Sequence, residues 1–402
     1  MNVLFLSPSH PAEMADFTRG LAEVGANVVG VGDGPLEGLP SKVRAHLSAY
    51  LRHPLQDAEG VLRGVRRLGL RFDRVECLWE PYVELAAWLR EQLDVPGMRL
   101  DTARAFRDKE LMKQRVERAG LRVPHHFRCD SRGAIVAAVD RIGLPVIVKP
   151  IAGAGSADTY RVDTAAQLEV VLERVRHVAE VSVEEFVDGE EFTFDTVCVD
   201  GRPRYFNIAQ YLPRPLIARS NEWISPVIVA LRDVHDPKYT QGIRLGLGVL
   251  EALGMGDGFT HMEWYRKRDG EVVFGEIGAR NGGAHLVDQM NFTADIDLYR
   301  EWARAVCWKS FEARVERRYN AAIIFKRAQG GPRIQRIDGL DRFMARHGQH
   351  VVVETLLRPG SPRRDWLQTL VSDGYILLRH ADLGTTLRLA EAAAGEIQIY
   401  GG

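Results

Sequence analysis

The sequence has few of the features that mark a secreted protein or a binder of charged polymers. Its 402 residues include four cysteines, and no two of them form a Cys-x-x-Cys pair. This usage argues against a disulfide framework or a zinc site and predicts buried free thiols, as is typical of a reduced cytoplasmic protein. A formal net charge of -1 supplies no field for nucleic acid or an anionic membrane.

Long apolar runs are also absent. No apolar segment approaches the ~20 residues that cross a membrane, and the short apolar run at the start has no basic leader. We therefore expect a cytoplasmic protein with neither a membrane nor a nucleic-acid partner. With 46% hydrophobic residues, a chain of this length can bury a large core in two or three domains.

A strand–helix–strand rhythm opens the sequence. Residues 2–7 and 27–31 predict buried strands, and residues 12–24 predict a helix between them, which is typical of a parallel α/β unit. The turn after the first strand, Ser-Pro-Ser-His-Pro, lacks the Gly-x-Gly-x-x-Gly loop that binds dinucleotide phosphates. NAD binding is therefore not expected, and this section is predicted to be a substrate or scaffold domain.

The most informative segment is a predicted hairpin around Asp269-Gly270, a dipeptide that favours a two-residue type I′ turn. Counting outward from that turn brings Glu263 opposite Glu276. Directly opposed like charges destabilise a strand pair, so we expect a cation between the two carboxylates. No His or Cys stands at a useful spacing around them, which favours Mg²⁺ over zinc. The alternative is a register slipped by one residue, with the glutamates on opposite faces.

A lysine at the end of a β-branched run gives a weaker signal. Residues 146–150 predict a strand that contains Lys149 and leads directly into the small-residue loop Ile-Ala-Gly-Ala-Gly-Ser-Ala. Backbone amides in such a loop can approach phosphate oxygens, and the lysine would supply a point charge. Alone, the pattern also fits a plain turn. Before it, residues 103–119 predict one helix that carries Lys109 in its first turns.

The segment Glu184-Glu-Phe-Val-Asp-Gly-Glu-Glu191 resembles the strand that joins the two halves of the nucleotide cleft in the ATP-grasp superfamily, and the other motifs follow in that family's order. An extended backbone there can offer donors and acceptors to a base edge. The resemblance implies that Glu184 and the backbone of Glu185 and Val187 contact the adenine edge and that Glu191 binds the ribose hydroxyls. It implies that Lys109 and Lys149 bind the phosphates and that the loop with Gly153, Gly155 and Ser156 covers them. Finally, it implies that Glu263 and Glu276 bind the metal and that Arg280 contacts the transferring phosphoryl group.

The same resemblance implies a fold of class α/β, with α+β character in the ATP-grasp lobes. It divides the chain into an N-terminal parallel α/β domain (1–100), a central lobe (101–187), a catalytic lobe (188–317) and a small C-terminal lobe (318–402). One position departs from the family's pattern, because Asn is usual two residues after the second metal carboxylate and Gly278 stands there. The number of metal ions therefore stays open, with a water or Asn281 in place of the missing oxygen.

The implied reaction is the ATP-dependent joining of a carboxylate to an amine through an acyl phosphate, with release of ADP and phosphate. ATP and Mg²⁺ are the implied cofactors, with Mn²⁺ as a second candidate. Within the superfamily the sequence looks closest to ligases that join L-amino acids into dipeptides, so small amino-acid substrates are the expected partners. Arg214 and Arg219 are candidates to hold a substrate carboxylate, and Glu80 is a candidate to hold an ammonium group.

Two other functions stay open. A carboxylase-like or nucleotide-biosynthesis ligase would share the nucleotide site, but a phosphosugar would require a denser basic patch than the sequence contains. An ATP-binding module without turnover would share the fold; Gly278 favours it, whereas the retained glutamates, lysines and Arg280 do not. The sequence does not identify the substrates. It does not decide the oligomeric state either, and a homodimer is one possibility.

Overall fold

A parallel sheet begins the chain. The computed structural model describes residues 1–151 and 158–402. The first elements are β1 (Asn2–Leu6), α1 (Met14–Glu23), β2 (Asn27–Gly32), α2 (Ser41–His46), β3 (Ala49–Arg52), α3 (Ala58–Arg67), β4 (Arg74–Glu76) and α4 (Val83–Gln92). The strands pair in parallel in the order β3-β2-β1-β4, which confirms the predicted α/β rhythm.

A four-stranded antiparallel sheet follows, in the order β5-β8-β6-β7. Its elements are α5 (Leu100–Ala105), α6 (Lys109–Arg118), β5 (His126–Cys129), α7 (Arg132–Ile142), β6 (Val146–Pro150), β7 (Tyr160–Val162), α8 (Ala165–Arg174) and β8 (Val181–Glu185). The single helix predicted over 103–119 is wrong, because Asp108 interrupts it. The Asp108 side chain accepts hydrogen bonds from the backbone N–H groups of Glu110 and Leu111 and so caps α6. Lys109 is therefore the first residue of α6.

An eight-stranded antiparallel sheet forms the centre of the molecule, in the order β13-β12-β9-β10-β11-β14-β18-β17. Its strands are β9 (Glu190–Val199), β10 (Arg202–Leu212), β11 (Val227–Ala230), β12 (Gly258–Arg266), β13 (Val272–Gly278), β14 (Asn320–Phe325), β17 (Val351–Glu354) and β18 (Tyr375–His380). The accompanying helices are α9 (Pro215–Ser220), α10 (Thr240–Leu253), α11 (Leu286–Ala294), α12 (Leu298–Trp308), α13 (Leu340–His347) and α14 (Leu383–Glu396). A small sheet joins β15 (Ala328–Gly330), β19 (Gln398–Gly401) and β16 (Ile334–Asp338).

This central sheet crosses the predicted boundary between residues 317 and 318, since β14, β17 and β18 extend the sheet that β9 to β13 begin. The four-part division of the chain stays a prediction. No helix within the described residues is long and apolar enough to span a membrane. All four cysteines are buried free thiols, as predicted.

The β12–β13 hairpin sets Glu263 opposite Glu276, as predicted, and excludes the slipped register. The predicted two-residue type I′ turn is wrong. The N–H of Gly270 donates to the carbonyl of Lys267, and Gly270 has φ +90°, so the loop has three residues and ends in a left-handed glycine. This longer loop shifts the pairing by one residue, and a bulge at Gly275 shifts it back before the glutamates are reached.

Aromatic side chains pack on both faces of the central sheet. On one face, Phe192 and Trp264 stack with ring centroids 4.9 Å apart, and a Cβ atom at Gly242 of α10 would lie 2.3 Å from the Trp264 ring. Glycine there lets α10 approach the strands closely. On the other face, Phe17 of α1 packs edge-on against Trp302 of α12. Each such buried ring contributes roughly 1.5–3 kcal/mol. The Phe17–Trp302 contact belongs to the core that the N-terminal sheet shares with the central sheet, since Val3 and Phe5 of β1 lie in the same cluster.

Candidate active site

Two cavities meet at the Glu263–Glu276 pair. The larger has a volume of about 1060 Å³ and the smaller about 750 Å³, open mouths included. Both are lined by Lys109, Pro215, Glu263 and Glu276. The two glutamates and one lysine therefore stand at the junction, where a group held in one cavity can reach a group held in the other.

The opposed glutamates are partly buried, with 24% and 28% of their side chains exposed. Glu263 Oε1 accepts a hydrogen bond of 3.2 Å from the Tyr211 hydroxyl. Glu276 Oε2 lies 3.5 Å from Lys109 Nζ and 3.7 Å from Lys149 Nζ. Burial alone would raise the pKa of Glu276, but the two lysines lower it to about 2, so this carboxylate is ionised at neutral pH.

The sequence analysis found no His at a useful spacing around this pair, but His261, two residues before Glu263, adjoins it. His261 lines the larger cavity, and its Nε2 lies 3.8 Å from Glu263 Oε1. Its Nδ1 lies 2.5 Å from Asp195 Oδ1. Burial alone would lower the pKa of His261, but Asp195 raises it to about 9. The strand alternation of β12, which puts residues 261 and 263 on one face, was the signal that could have found it.

The donor set fits a hard divalent cation that is shared with another ligand. Among the described residues no third Asp, Glu, His or Cys joins Glu263 and Glu276 as a metal-holding group. Mg²⁺ is commonly held by one or two carboxylates together with waters and phosphate oxygens, which suits a two-glutamate site. Asn281, expected as a substitute ligand, is buried, lines neither cavity, and donates from Nδ2 to the carbonyl of Gly282.

Two lysines converge on Glu184 in the smaller cavity. Lys149 Nζ lies 3.0 Å from Glu184 Oε2, and Lys113 Nζ lies 2.8 Å from Oε1. Burial would raise the pKa of Glu184, but the lysines hold it far below its usual range. Lys113 is fully buried and was missed by the sequence analysis. Its signal was its position four residues after Lys109 on α6, since such residues share a helix face.

The remaining residues of the predicted adenine and ribose site also reach the smaller cavity. The Glu185 N–H donates to the carbonyl of His125. Arg214 donates from Nε to Glu191 Oε2 (3.0 Å) and from Nη1 to the carbonyl of Val187 (2.9 Å). Arg214, a candidate for a substrate carboxylate, thus lies on the smaller cavity and already has a carboxylate partner. The predicted phosphate loop with Gly153, Gly155 and Ser156 lies outside the described residues.

In the larger cavity, Glu80 joins the N-terminal section to the hairpin. Its carboxylate accepts hydrogen bonds from both Arg107 and Arg280. Burial would raise the pKa of Glu80, but the two guanidinium groups lower it. A Cβ atom at Gly278 would lie 3.3 Å from both Glu80 Oε2 and Arg280 Cγ. A side chain at position 278 would therefore lie against this ion pair. Glu80, predicted to hold an ammonium group, is already paired with the two arginines.

The larger cavity is also lined by Arg219, the other residue predicted to bind a substrate carboxylate, and by Arg327, which the sequence analysis missed. Arg327 follows β14, which is separated from β12 and Glu263 by β9, β10 and β11 in the central sheet. Arg219 donates from Nη2 to the carbonyl of Leu367 (2.6 Å). Nothing near Arg327 in the sequence distinguished it from a surface arginine, because its burial depends on the packing of α9 and of residues 366–370 around it.

Comparison with known proteins gives relatives that match part of the chain and solved structures that match its whole fold. No protein-family model matches the chain. It is 26% identical to the L-arginine-specific L-amino acid ligase of Bacillus subtilis over 235 residues, which are 57% of this chain and 56% of that one. The match thus spans little more than half of that relative.

Solved structures match over the whole length. The L-amino acid ligase from Bacillus licheniformis matches with a TM-score of 0.80 at 22% identity, and the match covers 100% of this chain and 99% of that one. N5-carboxyaminoimidazole synthetase from Staphylococcus aureus, complexed with ADP, has a TM-score of 0.73 at 14% identity, with 98% of this chain and 96% of that one covered. The predicted fold class is confirmed.

Proposed function

We propose that this chain, which has the fold of the ATP-grasp ligases and resembles the L-amino acid ligases among them, joins a carboxylate to an amine while ATP is converted to ADP and phosphate. The observation that carries the proposal is the meeting of two cavities at Glu263, Glu276 and Lys109. A ligase of this kind needs a nucleotide and a carboxylate in separate sites with one shared reacting point.

The smaller cavity is the proposed ATP site. Five glutamates line it (Glu184, Glu185, Glu191, Glu263 and Glu276) against three basic residues (Lys109, Lys149 and Arg214). Such a lining would repel a triphosphate on its own, so a divalent cation at Glu263 and Glu276 is a requirement of the proposal. When bound, Mg²⁺ would neutralise phosphate charge and polarise the transferring group. The two lysines at Glu276 are within reach of the same phosphates.

The proposed chemistry has two steps. An oxygen of the substrate carboxylate forms a bond to the γ-phosphorus while the bond to the β,γ-bridging oxygen breaks, which gives ADP and an acyl phosphate. The amine nitrogen then forms a bond to the acyl carbon, and phosphate leaves with the amine proton. Lys109 and Arg280, at the junction and beside it, are placed to hold the transferring group by charge alone.

No residue of the chain needs to act as a nucleophile in this scheme. The four cysteines are buried free thiols, and burial raises the pKa of the Cys77 thiol to about 12, which removes its thiolate at neutral pH. The larger cavity suits amino acids better than a phosphorylated sugar, which would need a denser group of basic residues than Arg219 and Arg327, the two that have no carboxylate partner among the described residues. The carboxylase-like function is thus the second candidate.

Measuring ADP and phosphate release from Mg-ATP against pairs of amino acids tests the proposal, with mass spectrometry of any condensed product. Each amino acid alone and bicarbonate alone are the controls. Release that requires two partners and yields an amide is the expected result. Release with bicarbonate alone would favour the carboxylase-like candidate, and AMP as the product would contradict the acyl-phosphate route.

A further inference from the structure

Arg327 is a buried cation with an unsatisfied donor. It is 8% exposed and lines the larger cavity. Its Nη1 donates to the carbonyls of Ala218 (2.7 Å) and Asn221 (2.9 Å), and its guanidinium lies over the Trp366 ring, 4.6 Å from the centroid. Its Nε has no hydrogen-bond partner among the described residues. A buried guanidinium whose hydrogen-bond partners among the described residues are carbonyl groups keeps an uncompensated positive charge, and in a cavity wall this charge favours an anionic ligand.

No acid of the described chain neutralises this part of the cavity. Glu222 acts on Arg327 only at longer range, because its carboxylate pairs with Arg363 (2.5 Å). Arg219 has no carboxylate partner either, and it adds a second positive charge that acts on Arg327. Burial lowers the pKa of Arg327 to about 10, so both guanidinium groups are charged at neutral pH.

The other cations of the larger cavity are paired. Arg107 and Arg280 both contact Glu80, and Lys109 lies near Glu276. The two uncompensated arginines thus differ from the other cations of the cavity. Apolar side chains of β11 and β14 also line it, namely Val227, Ile228 and Phe325, and in the sheet these strands lie on the side of Arg327, away from β12 and Glu263.

We propose that Arg219 and Arg327 bind a carboxylate of the substrate that is not the reacting one. The proposal rests on the proposed ligase function. Two sources share this chemistry: the α-carboxylate of the amino acid whose amine attacks, and the side-chain carboxylate of a dicarboxylic amino acid. In both cases the arginines select a substrate with an anionic group separated from the reacting atoms by an apolar stretch.

Matched acids and amides test this selection. In ADP-release assays with a fixed donor, alanine is compared with alaninamide as the attacking amine, and glutamate is compared with glutamine. We expect wild type to prefer the acid in at least one of these comparisons by about 10- to 100-fold in kcat/KM. A preference in the first comparison identifies the α-carboxylate, and a preference in the second identifies the side chain.

The variants Arg219→Gln and Arg327→Gln should lose most of this preference, whereas Arg327→Lys should keep part of it. The matched control is Arg244→Gln, which removes an exposed arginine of α10. Thermal unfolding of each variant establishes that it is folded. Equal rates with acids and amides in wild type, or an unchanged preference in Arg327→Gln, would overturn the proposal.

A second readout separates this proposal from the ligase function. Alanine, alaninamide, glutamate and glutamine are added without ATP, and the shift in Tm is measured. Stabilisation by an acid over its amide that disappears in Arg327→Gln supports the anion site even if no substrate pair releases ADP. Equal shifts for every acid and its amide would count against the site whatever the turnover assay gives.

Discussion

The smaller and the larger cavity use the same charged residue types but pair them differently. In the smaller cavity, every lysine and arginine of the lining lies within ion-pairing distance of a glutamate. In the larger cavity, Arg107 and Arg280 are paired with Glu80, but Arg219 and Arg327 have no acidic partner among the described residues. The ion pairs of the smaller cavity hold its cations in position before a ligand binds. The two arginines of the larger cavity keep a positive charge that an anionic ligand can neutralise.

The junction of the cavities should show the largest effect. Glu276→Gln removes a carboxylate that faces both cavities, and we expect ADP release to fall by about 100-fold or more while much of the nucleotide affinity remains. Glu271→Gln, on the same hairpin but paired with Lys267, is the control and should retain activity. Unchanged turnover in Glu276→Gln would remove this residue from the reacting point.

The ion pairs around Glu184 in the smaller cavity should have the next largest effect, on the stability of the folded chain. Lys113→Met removes a fully buried partner of Glu184, and we expect a loss of about 3 kcal/mol in the free energy of unfolding, measured by urea denaturation. Adding Glu184→Gln to this variant should restore part of the loss, because the carboxylate left behind is then neutral. A loss in Lys113→Met below about 1 kcal/mol would mean that Lys149 alone compensates Glu184.

A buried cation without an acidic partner should make the stability of the folded chain depend on pH. Lys326, beside Arg327, is buried, and its side chain bonds to Ser225 Oγ and the carbonyl of Ala394 and to no acid of the described residues. Burial lowers its pKa from 10.5 to about 8. Between these pH values the unfolded chain binds a proton that the folded chain does not, so stability should rise with pH by about 3 kcal/mol relative to Lys326→Met. Parallel stability curves for the two proteins would contradict this expectation.

Gly278 gives the smallest expected effect. An Asn at this position would place its side chain against Glu80 and Arg280, so Gly278→Asn should disturb their ion pair and lower kcat for ADP release by about tenfold. Gly256→Asn, at a position with open space, is the matched control. A rise in activity in Gly278→Asn would instead mean that the metal site lacks the Asn oxygen of the family's pattern.

The hairpin illustrates how far local patterns can carry a prediction. The alternation of the two strands and the turn dipeptide predicted Glu263 opposite Glu276, and the structure agrees. The path to that result was wrong in two places, since the turn has one residue more than expected and the bulge at Gly275 compensates for it. A Cβ atom at Gly275 would lie 2.7 Å from the carbonyl oxygen of Glu263, which explains the glycine only after the register is known.

The sequence by itself determined the parallel α/β start, the opposed glutamates and the free thiols, because strand alternation, turn residues and cysteine usage act over a few neighbouring positions. The fold class of the whole chain followed from the resemblance to the ATP-grasp superfamily. Only the tertiary structure decided how the charges pair. Glu80 and Arg280 are 200 positions apart, and Lys113 and Arg327 differ from surface cations only in what packs over them. Burial sets the energetic weight of a charge, and burial is a property of the packed chain and not of any segment.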